Sequence, residues 1–566
     1  MQDPREIGCD VLVVGTGAGG MATAITARRQ GLDVLVVEKE AVFGGSTALS
    51  GGWLWVPCNP LAERAGIADS REAARRYVET EAGRYFDARR VDAFLEHAPA
   101  MVKFFESETA VKFFLGAAFP DYHPETAGAA LGGRPICAEP YDARQLGPAA
   151  ASLAPPIRGM TFVGLTFGSG PDMRHFLNAL SSLTSAWYTA KRLVKYARDL
   201  LSHGRSMKLF NGAALAARLY RSAVDLGIPI WLNAPVTKLA LDQGAVPGAW
   251  VQRGRETVFV RARCGVVLAT GGFPNDVARR AATFPHAPSA SEHVTMAPEG
   301  NSGDGLRLAE AVGGATEMSY PHVGSWMPVS RVPLGKGHET KITHILDRGK
   351  PGIIAVRSDG RRFTNEGANY HDFGAAMISE QAGQRQAVFL VADHRAIRKY
   401  GLGFAKPFPV PLRPYLRSGY VMRGSTVEAL AEKAGIDAGN LAQTISMFNR
   451  HAREGVDPEF HKGEGAYDRF QGDPQHQPNP CVGPLDAGPY YAVRLMPGDI
   501  GTFGGLRTDA CGRVVDAAQT PIPGLYAVGN DMASIFGGSY PGGGSTLGPA
   551  MTFGYIAGLH LAGLHH

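Results

Sequence analysis

The first apolar run of the chain does not alternate. Cys9 to Val14 reads CDVLVV, short and rich in β-branched residues, which is the pattern of a parallel strand buried on both faces. It passes directly into Gly15-Thr16-Gly17-Ala18-Gly19-Gly20. An alanine-rich helix is predicted from about Met21 to Gln30, and Gly31 stops it. A second apolar run, Asp33 to Val37 (DVLVV), ends at Glu38, so this stretch predicts a β-α-β unit. Toward the far end, Thr508 to Asn530 predicts a hairpin, a Pro-Gly turn and a strand ending in Gly529-Asn530. Ser539 to Pro549 then opens a last helix. In between, Gly271-Gly272 ends another strand, and 277–300 loses the α/β rhythm.

One segment keeps a helical period. Leu183, Trp187, Ala190, Val194, Ala197 and Leu201 recur at three- and four-residue steps and form one apolar stripe. Lys191, Arg192, Lys195, Arg198, Arg205 and Lys208 cluster beside it, and Asp199 is the sole acid between 181 and 210. A basic amphipathic helix with Trp and Tyr near its boundary can lie in a headgroup layer without spanning it. This reading predicts a membrane-associating helix over 181–203. The alternative is a surface helix whose stripe packs against the rest of the protein.

Composition narrows the class. A length of 566 residues allows two to four domains. Hydrophobic residues at 45% against 19% charged provide for a large core and exclude wholesale disorder. Glycine, at 72 of 566 positions, runs well above the usual share of about 7%, and it comes in clusters suited to close backbone approach to a ligand. The net charge of +5 is too small to imply nucleic acid. Six scattered cysteines form no C-x-x-C and no zinc spacing with histidine, so they read as small hydrophobes of a reducing, cytoplasmic compartment, and no metal site is expected. No signal peptide is recognised, and no apolar run of about 18 residues suggests a membrane span.

Chemistry enters at the first turn. The triplet Gly15, Gly17, Gly20 follows a strand, opens a helix and has Glu38 about twenty residues on, the context that gives G-x-G-x-x-G its meaning. Gly15 permits the tight turn, Gly17 admits a pyrophosphate, and Gly20 allows helix and strand to pack closely. The helix N-terminus, including Ala18 and Gly19, offers N–H groups to phosphate. Glu38 can accept from both adenosine ribose hydroxyls and would repel a 2′-phosphate. The loop Phe43 to Gly52 (FGGSTALSGG) is small and polar, suited to lie along an extended cofactor. Nucleotide-contacting segments at both ends of the chain suit a ligand as long as FAD. The second helix start, around Ser545 and Leu547, can face the flavin pyrimidine, where negative charge gathers on reduction.

These segments, with Val266 to Phe273 (VVLATGGF) and Pro298 to Leu306 (PEGNSGDGL), resemble the FAD-dependent fumarate reductase and 3-ketosteroid dehydrogenase superfamily over most of the chain except roughly 125–215. Within it, Phe119 to Pro124 (FPDYHP), Asn365 to Tyr370 (NEGANY), Ser539 to Thr546 (SYPGGGST) and Tyr490 to Gly505 look like 3-ketosteroid Δ1-dehydrogenases. The chain has no haem-attachment segment and no histidine in the Ser50-Gly51-Gly52 loop to tether flavin, so FAD is expected without a covalent bond.

The resemblance implies an α/β fold, a Rossmann-like FAD-binding domain with an inserted α+β catalytic (capping) domain. The FAD-binding domain is placed at 1–276 and 489–566 and the cap at 277–488. It implies cofactor contacts at Gly15, Gly17, Ala18, Gly19, Gly20, Glu38, Lys39, Gly45, Ser46, Thr47, Ser50, Gly51, Gly52, Val236, Ala269, Thr270, Gly271, Asp304, Gly529, Asn530, Ser545 and Leu547. The implied activity is 1,2-desaturation of 3-ketosteroids such as 4-ene-3-ketosteroids, with a proton leaving carbon 2 and hydride passing from carbon 1 to flavin N5. Alternatives are a related flavin enzyme acting at another position, for example 4-dehydrogenation of a 3-keto-5α-steroid or reduction of a fumarate-like acid, and a non-catalytic flavin electron-transfer subunit. The electron acceptor is not legible, and a peripheral position on the inner face of the cell membrane follows only if helix 181–203 binds lipid.

Such a reaction needs donors at the ketone, a base on one face and flavin on the other. Tyr540 and the Gly544 N–H suit the donor role. Tyr370 is the candidate base, with an ordinary pKa of about 10 that demands help, and Tyr122 resembles the tyrosine that gives it. His123 reads as a solvated loop histidine rather than a proton relay, Asp304 as the N-cap of GLRLAEAV rather than a catalytic acid, and Arg361-Arg362 as a solvated hairpin after Ser358-Asp359-Gly360 rather than substrate-binding arginines like those of fumarate reductases.

Overall fold

The first predicted strand runs from Glu6 to Val14 in the computed structural model, which describes residues 6–565 except 169–171, 173–174, 177–178, 180–181, 285, 288 and 382–385. Val11 to Val14 pair in parallel with Val34–Val37 on one side and with Gly265 to Leu268 on the other. Val34–Val37 is buried throughout, as an unalternating apolar run demands. The connecting helix is Ala18–Arg29. It starts at Ala18 rather than Met21 because Gly19 and Gly20 are folded into its first turn.

The parallel core extends to an eight-stranded sheet, ordered Arg513–Val515, Pro521–Ala527, Glu256–Leu268, Glu6–Val14, Val34–Val37, Ile230–Trp231, with Gly248–Arg253 and Val236–Leu239 appended antiparallel. Its Val266 to Leu268 pair in parallel with Leu525 to Ala527, so strands from the two ends of the chain lie in one sheet. The C-terminal helix Leu547–Leu561 covers it, and Met551, Phe553 and Ile556 are packed in one core with Met21 and Ile25 of the first helix.

A second, seven-stranded sheet is ordered His338–Thr343, Gly324–Gly335, Tyr490–Thr502, Val388–Ala392, Ile353–Arg357, and Val294–Thr295 and Met422–Gly424 also pair with Tyr490–Thr502. The central strand of this sheet is therefore the segment that the sequence assigned to the other domain. Strand pairing puts the return to the first sheet after Thr502 rather than at 489, because hydrogen bonding, not sequence resemblance, decides which layer a strand joins.

The helix expected at 181–203 is Leu183–His203. Its apolar stripe does not pack on the protein. Leu183 is 91% exposed, Trp187 70%, Val194 62% and Leu201 90%. The face turned inward is polar, with Ser185, Arg192, Tyr196 and Asp199 buried. Arg192 Nε donates to Asp172 at 3.2 Å, the Tyr196 hydroxyl donates to the Val163 carbonyl at 2.6 Å, and Asp199 accepts from the Met207 N–H at 3.0 Å while pairing with Arg144. Arg192 is thus an internal ion-pair partner and not part of the exposed basic face, which keeps Lys191, Lys195 and Arg198.

Candidate active site

The glycine turn is built for close approach. Gly15 sits at φ +112°, and a Cβ there would lie 2.3 Å from the Ala269 carbonyl oxygen, so no other residue fits. A Cβ on Gly17 would meet nothing nearer than Thr47 Oγ1 at 3.8 Å, which leaves that side of the turn open to a ligand. The helix it opens has no side-chain cap and no acid in its first turn, and the C-terminal helix behind Thr546 likewise lacks both. Two uncapped helix starts are two sets of N–H donors with positive dipole ends. These features fit a dinucleotide.

The neighbouring candidates are braced by one another. Glu38 Oε2 accepts from the Thr16 N–H at 3.1 Å and Oγ1 at 2.6 Å, and Ala18 N–H donates to Thr47 Oγ1 at 2.9 Å. Ser50 Oγ accepts from the Gly52 N–H at 3.1 Å. Asn301 Nδ2 donates to Ser46 Oγ at 2.8 Å and to the Gly271 carbonyl at 3.0 Å. Lys39 Nζ donates to Ser302 Oγ at 3.0 Å and pairs with Asp304, which also binds Arg307. Asp304 is not the N-cap: Gly303 holds that position, and Asp304 is the first helical residue, because its carboxylate is drawn outward to Lys39 and Arg307. Val236 and Asp304 line one cleft of about 620 Å³ together with Lys238, Trp250 and Arg307. Sequence reading missed Asp531, the buried carboxylate behind Ala269 to Gly272. It accepts the Thr270 N–H at 2.6 Å, Thr270 Oγ1 at 2.9 Å and the Gly272 N–H at 2.8 Å. An acid directly after Gly529-Asn530 was its one local signal.

Three tyrosines from distant segments meet in one buried cluster. Ring centroids of Tyr122 and Tyr370 lie 5.5 Å apart, of Tyr122 and Tyr540 5.6 Å, and of Tyr370 and Tyr540 5.2 Å. All three are buried in one cluster with Met296, Tyr320, Met327, Tyr467 and Phe503. Burial pushes each phenol up, Tyr122 and Tyr370 well above the usual tyrosine range. Gly544, at φ +101°, packs so tightly that a Cβ would sit 2.5 Å from Leu54 Cα, and its buried N–H has no partner among the described residues.

Each tyrosine is placed by its own segment. Asn369 caps the helix Tyr370–Gln381: its Oδ1 accepts the His371 N–H at 2.9 Å and the Asp372 N–H at 3.0 Å, which makes Tyr370 the first helical residue. The Tyr122 N–H donates to the Pro541 carbonyl at 2.9 Å, and the Tyr77 hydroxyl donates to the same oxygen at 2.6 Å. Asp121, wholly buried beside Tyr122, accepts from Trp55 Nε1 at 2.7 Å and from Arg134 Nη1 at 2.6 Å.

Two readings of charged residues are overturned. His123 is not solvated: its Nε2 lies 2.7 Å from Asp372 Oδ2 and its Nδ1 2.6 Å from Glu81 Oε2. Burial alone would depress its pKa, but bonding to Asp372 and Glu81 outweighs that and raises it to about 10. Arg362 is not on a solvated hairpin. It is buried between Glu366 (2.9 and 2.7 Å) and Asp457 (2.7 and 2.7 Å), and Lys462 stands 3.7 Å from Glu366. Both errors have one cause, since Glu81, Asp372 and Asp457 lie far off in sequence and only the fold brings them in. Among the described residues no cluster of three or more His, Cys, Asp or Glu side chains could hold a metal ion.

A model of the FAD binding domain family matches residues 10–547. The chain is 42% identical, over 99% of its length and 95% of the relative's, to a 4-oxocyclohex-2-ene-1-carboxylate 5-dehydrogenase of Sinomonas cyclohexanicum. It is 37% identical, over 98% of both chains, to a 3-oxosteroid 1-dehydrogenase of Mycobacterium tuberculosis. A crystal structure of 3-ketosteroid Δ1-dehydrogenase from Sterolibacterium denitrificans, in complex with 1,4-androstadiene-3,17-dione, superposes with a TM-score of 0.90 at 36% identity, covering 98% of this chain and 99% of that one.

Proposed function

We propose, for a chain that belongs to the FAD binding domain family, that it is an FAD-dependent oxidoreductase that introduces the 1,2 double bond of 3-ketosteroids. The observation that carries this is the meeting of Tyr122, Tyr370 and Tyr540, with Gly544, four residues after Tyr540, buried and its N–H without a partner among the described residues. The Tyr540 hydroxyl and the Gly544 N–H hold the ketone oxygen. Each donor so preorganised contributes on the order of 2.7–4 kcal/mol as negative charge develops there. Polarising the carbonyl acidifies carbon 2, and the Tyr370 oxygen takes that proton as phenolate, a strong base because burial, and then Tyr122 and Tyr540, hold its pKa well above the usual range. Bound FAD supplies the hydride acceptor.

The same proposal assigns the glycine turn, Glu38, the Gly45 to Gly52 loop and the helix start at Ser545 and Leu547 to the cofactor, and the seven-stranded layer to the cap. A cyclic ketone is common to steroid dehydrogenases and to the cyclohexenecarboxylate dehydrogenase. The hydrophobic residues clustered with the tyrosines, Met296, Tyr320, Met327, Tyr467 and Phe503, supply apolar surface that suits a steroid skeleton. Anaerobic bleaching of the flavin by a panel of ketosteroids and by 4-oxocyclohexanecarboxylate tests the choice. Bleaching by the acid and not by any steroid overturns it.

The proposal extends to a membrane surface. No helix among the described residues is long and apolar enough to cross a bilayer. Leu183–His203 instead presents Leu183, Trp187, Val194 and Leu201 outward, with Lys191, Lys195 and Arg198 exposed on the same helix. An outward apolar face flanked by cations is complementary to an anionic headgroup layer. A sterol with a long alkyl tail is nearly insoluble in water, so peripheral attachment would let the enzyme take substrate from the bilayer.

A further inference from the structure

Tyr122 and Tyr540 are locked to each other through the bond from the Tyr122 N–H to Pro541. Tyr370 is not part of that unit. It begins the helix Tyr370–Gln381, and Gly374 of that helix lies against Trp326 and Met327 of the seven-stranded sheet, where a Cβ on it would fall 2.8 Å from Trp326 Cβ. A base and an electrophilic pocket carried on different layers hold a productive geometry only if something registers one layer on the other, and a misplacement of about 1 Å can cost a hundredfold in rate.

One imidazole spans the gap. His123 follows Tyr122, and its Nε2 meets Asp372, two residues after Tyr370, at 2.7 Å. Asp372 Oδ2 also accepts from Asn369 Nδ2 at 2.8 Å, and Asn369 is the residue that caps the Tyr370 helix. On the other side His123 Nδ1 meets Glu81 Oε2 at 2.6 Å, and that oxygen accepts from Ser539 Oγ at 2.8 Å, next to Tyr540. Glu81 Oε1 accepts from Thr126 Oγ1 at 3.0 Å, beyond His123 in its own loop. The chain of contacts therefore runs from the cap of Tyr370, through His123 beside Tyr122, to the residue preceding Tyr540.

Resting on the function proposed above, we propose that Glu81, His123 and Asp372 form a charged clasp that sets the position of Tyr370 against Tyr122 and Tyr540, with His123 as its positioning residue. A neutral imidazole can donate from one nitrogen only, whereas the imidazolium is protonated on both and pairs with two carboxylates at once, here by a hydrogen bond from Nε2 to Asp372 and an ion-pair contact of Nδ1 with Glu81. The raised pKa of about 10 keeps His123 in that form at neutral pH. The groups facing it are Glu81 and Asp372, with His371 behind Asp372 held neutral by burial.

The test is a cycle of His123→Gln, Glu81→Gln and Asp372→Asn in the FAD-loaded full chain. Asp372 has a half-exposed side chain, so its isosteric amide keeps the variant folded even if His123→Gln does not fold. Among the described residues, Glu81 and Asp372 are bridged by His123 and share no direct contact. A clasp therefore predicts that Glu81→Gln and Asp372→Asn each lower kcat at least tenfold, leave KM within about threefold, and together cost little more than either alone. The isotope effect on a substrate deuterated at carbon 2 should rise in each, because a displaced base slows proton removal, whereas loss of folded protein would leave it unchanged. Amide hydrogen exchange over residues 369–381 should quicken by the same factor in both single variants. Additive losses of kcat, an unaltered isotope effect or unchanged exchange would overturn the clasp. If the wild type oxidises no ketosteroid, the functional proposal fails and the exchange result decides the clasp by itself.

Discussion

The rings of Tyr122 and Tyr370 meet edge to face, 5.5 Å between centroids at an interplanar angle of 80°, with Tyr540 against both. Burial raises all three phenols above the usual tyrosine range, and contact with Tyr122 and Tyr540 raises Tyr370 further. This coupling sets the kinetic expectations.

Tyr370→Phe removes only the oxygen of the base. Turnover should be abolished while the flavin spectrum and thermal midpoint stay close to wild type. Tyr540→Phe removes a donor to the ketone and should lower kcat about a hundredfold or more. Wild-type rates in either variant, measured with a dye acceptor, would return that tyrosine to packing.

The pH profile has a defined sign. Burial and the neighbouring tyrosines hold Tyr370 well above the usual range, so its phenolate is scarce at neutral pH and grows as pH rises. The logarithm of kcat/KM should therefore climb steadily from pH 6 to pH 10 without a plateau. A flat profile across that window would assign proton removal to another group.

FAD should leave on acid precipitation. The Ser50-Gly51-Gly52 loop carries no histidine, cysteine or tyrosine to form a covalent link. Yellow colour in the supernatant is the expected result, and colour retained in the pellet contradicts non-covalent binding.

The exposed stripe of Leu183–His203 makes a test with liposomes direct. Intact protein should co-sediment with anionic vesicles at low salt and be released in part at high salt, while a chain with 182–204 replaced by a Gly/Ser linker should stay in the supernatant. Equal behaviour of the two proteins removes the membrane from the account.

Arg362 offers a stability test away from the tyrosines. Replacing it by Met strands Glu366 and Asp457 as buried charges, at a cost of about 3–5 kcal/mol. Burial alone would raise the Glu366 pKa, but the charges of Arg362 and Lys462 more than offset it and hold the carboxyl below its ordinary value. Its contribution is present above the unfolded-state pKa near 4.5 and is lost as pH falls below that. Urea midpoints of wild type and Arg362→Met should therefore differ most near neutral pH and converge in acid.

Local order decided what could be read from the chain. The β-α-β start, the glycine turn, the helix from Leu183 to His203 and the three tyrosine motifs are each set by residues within a few positions of one another, through burial periodicity, backbone conformation and capping. The sequence identified Tyr122, Tyr370, Tyr540 and Gly544 separately, but it held no information on their mutual distances. Strand Tyr490–Thr502 looked continuous with the C-terminal segment after it, and only pairing with Gly324–Gly335 and Val388–Ala392 revealed its layer. His123, Arg362 and Asp304 were misread for a shared reason. A charged side chain is solvated or buried according to partners that arrive from elsewhere, and Asp372, Asp457 and Lys39 lie far from them in sequence. The orientation of the amphipathic helix was likewise undecided, because periodicity marks an apolar face without saying what it faces. Asp172 and Asp199 settled it by drawing Arg192, Tyr188 and the Met207 N–H inward, and the hydrophobic stripe was left outside.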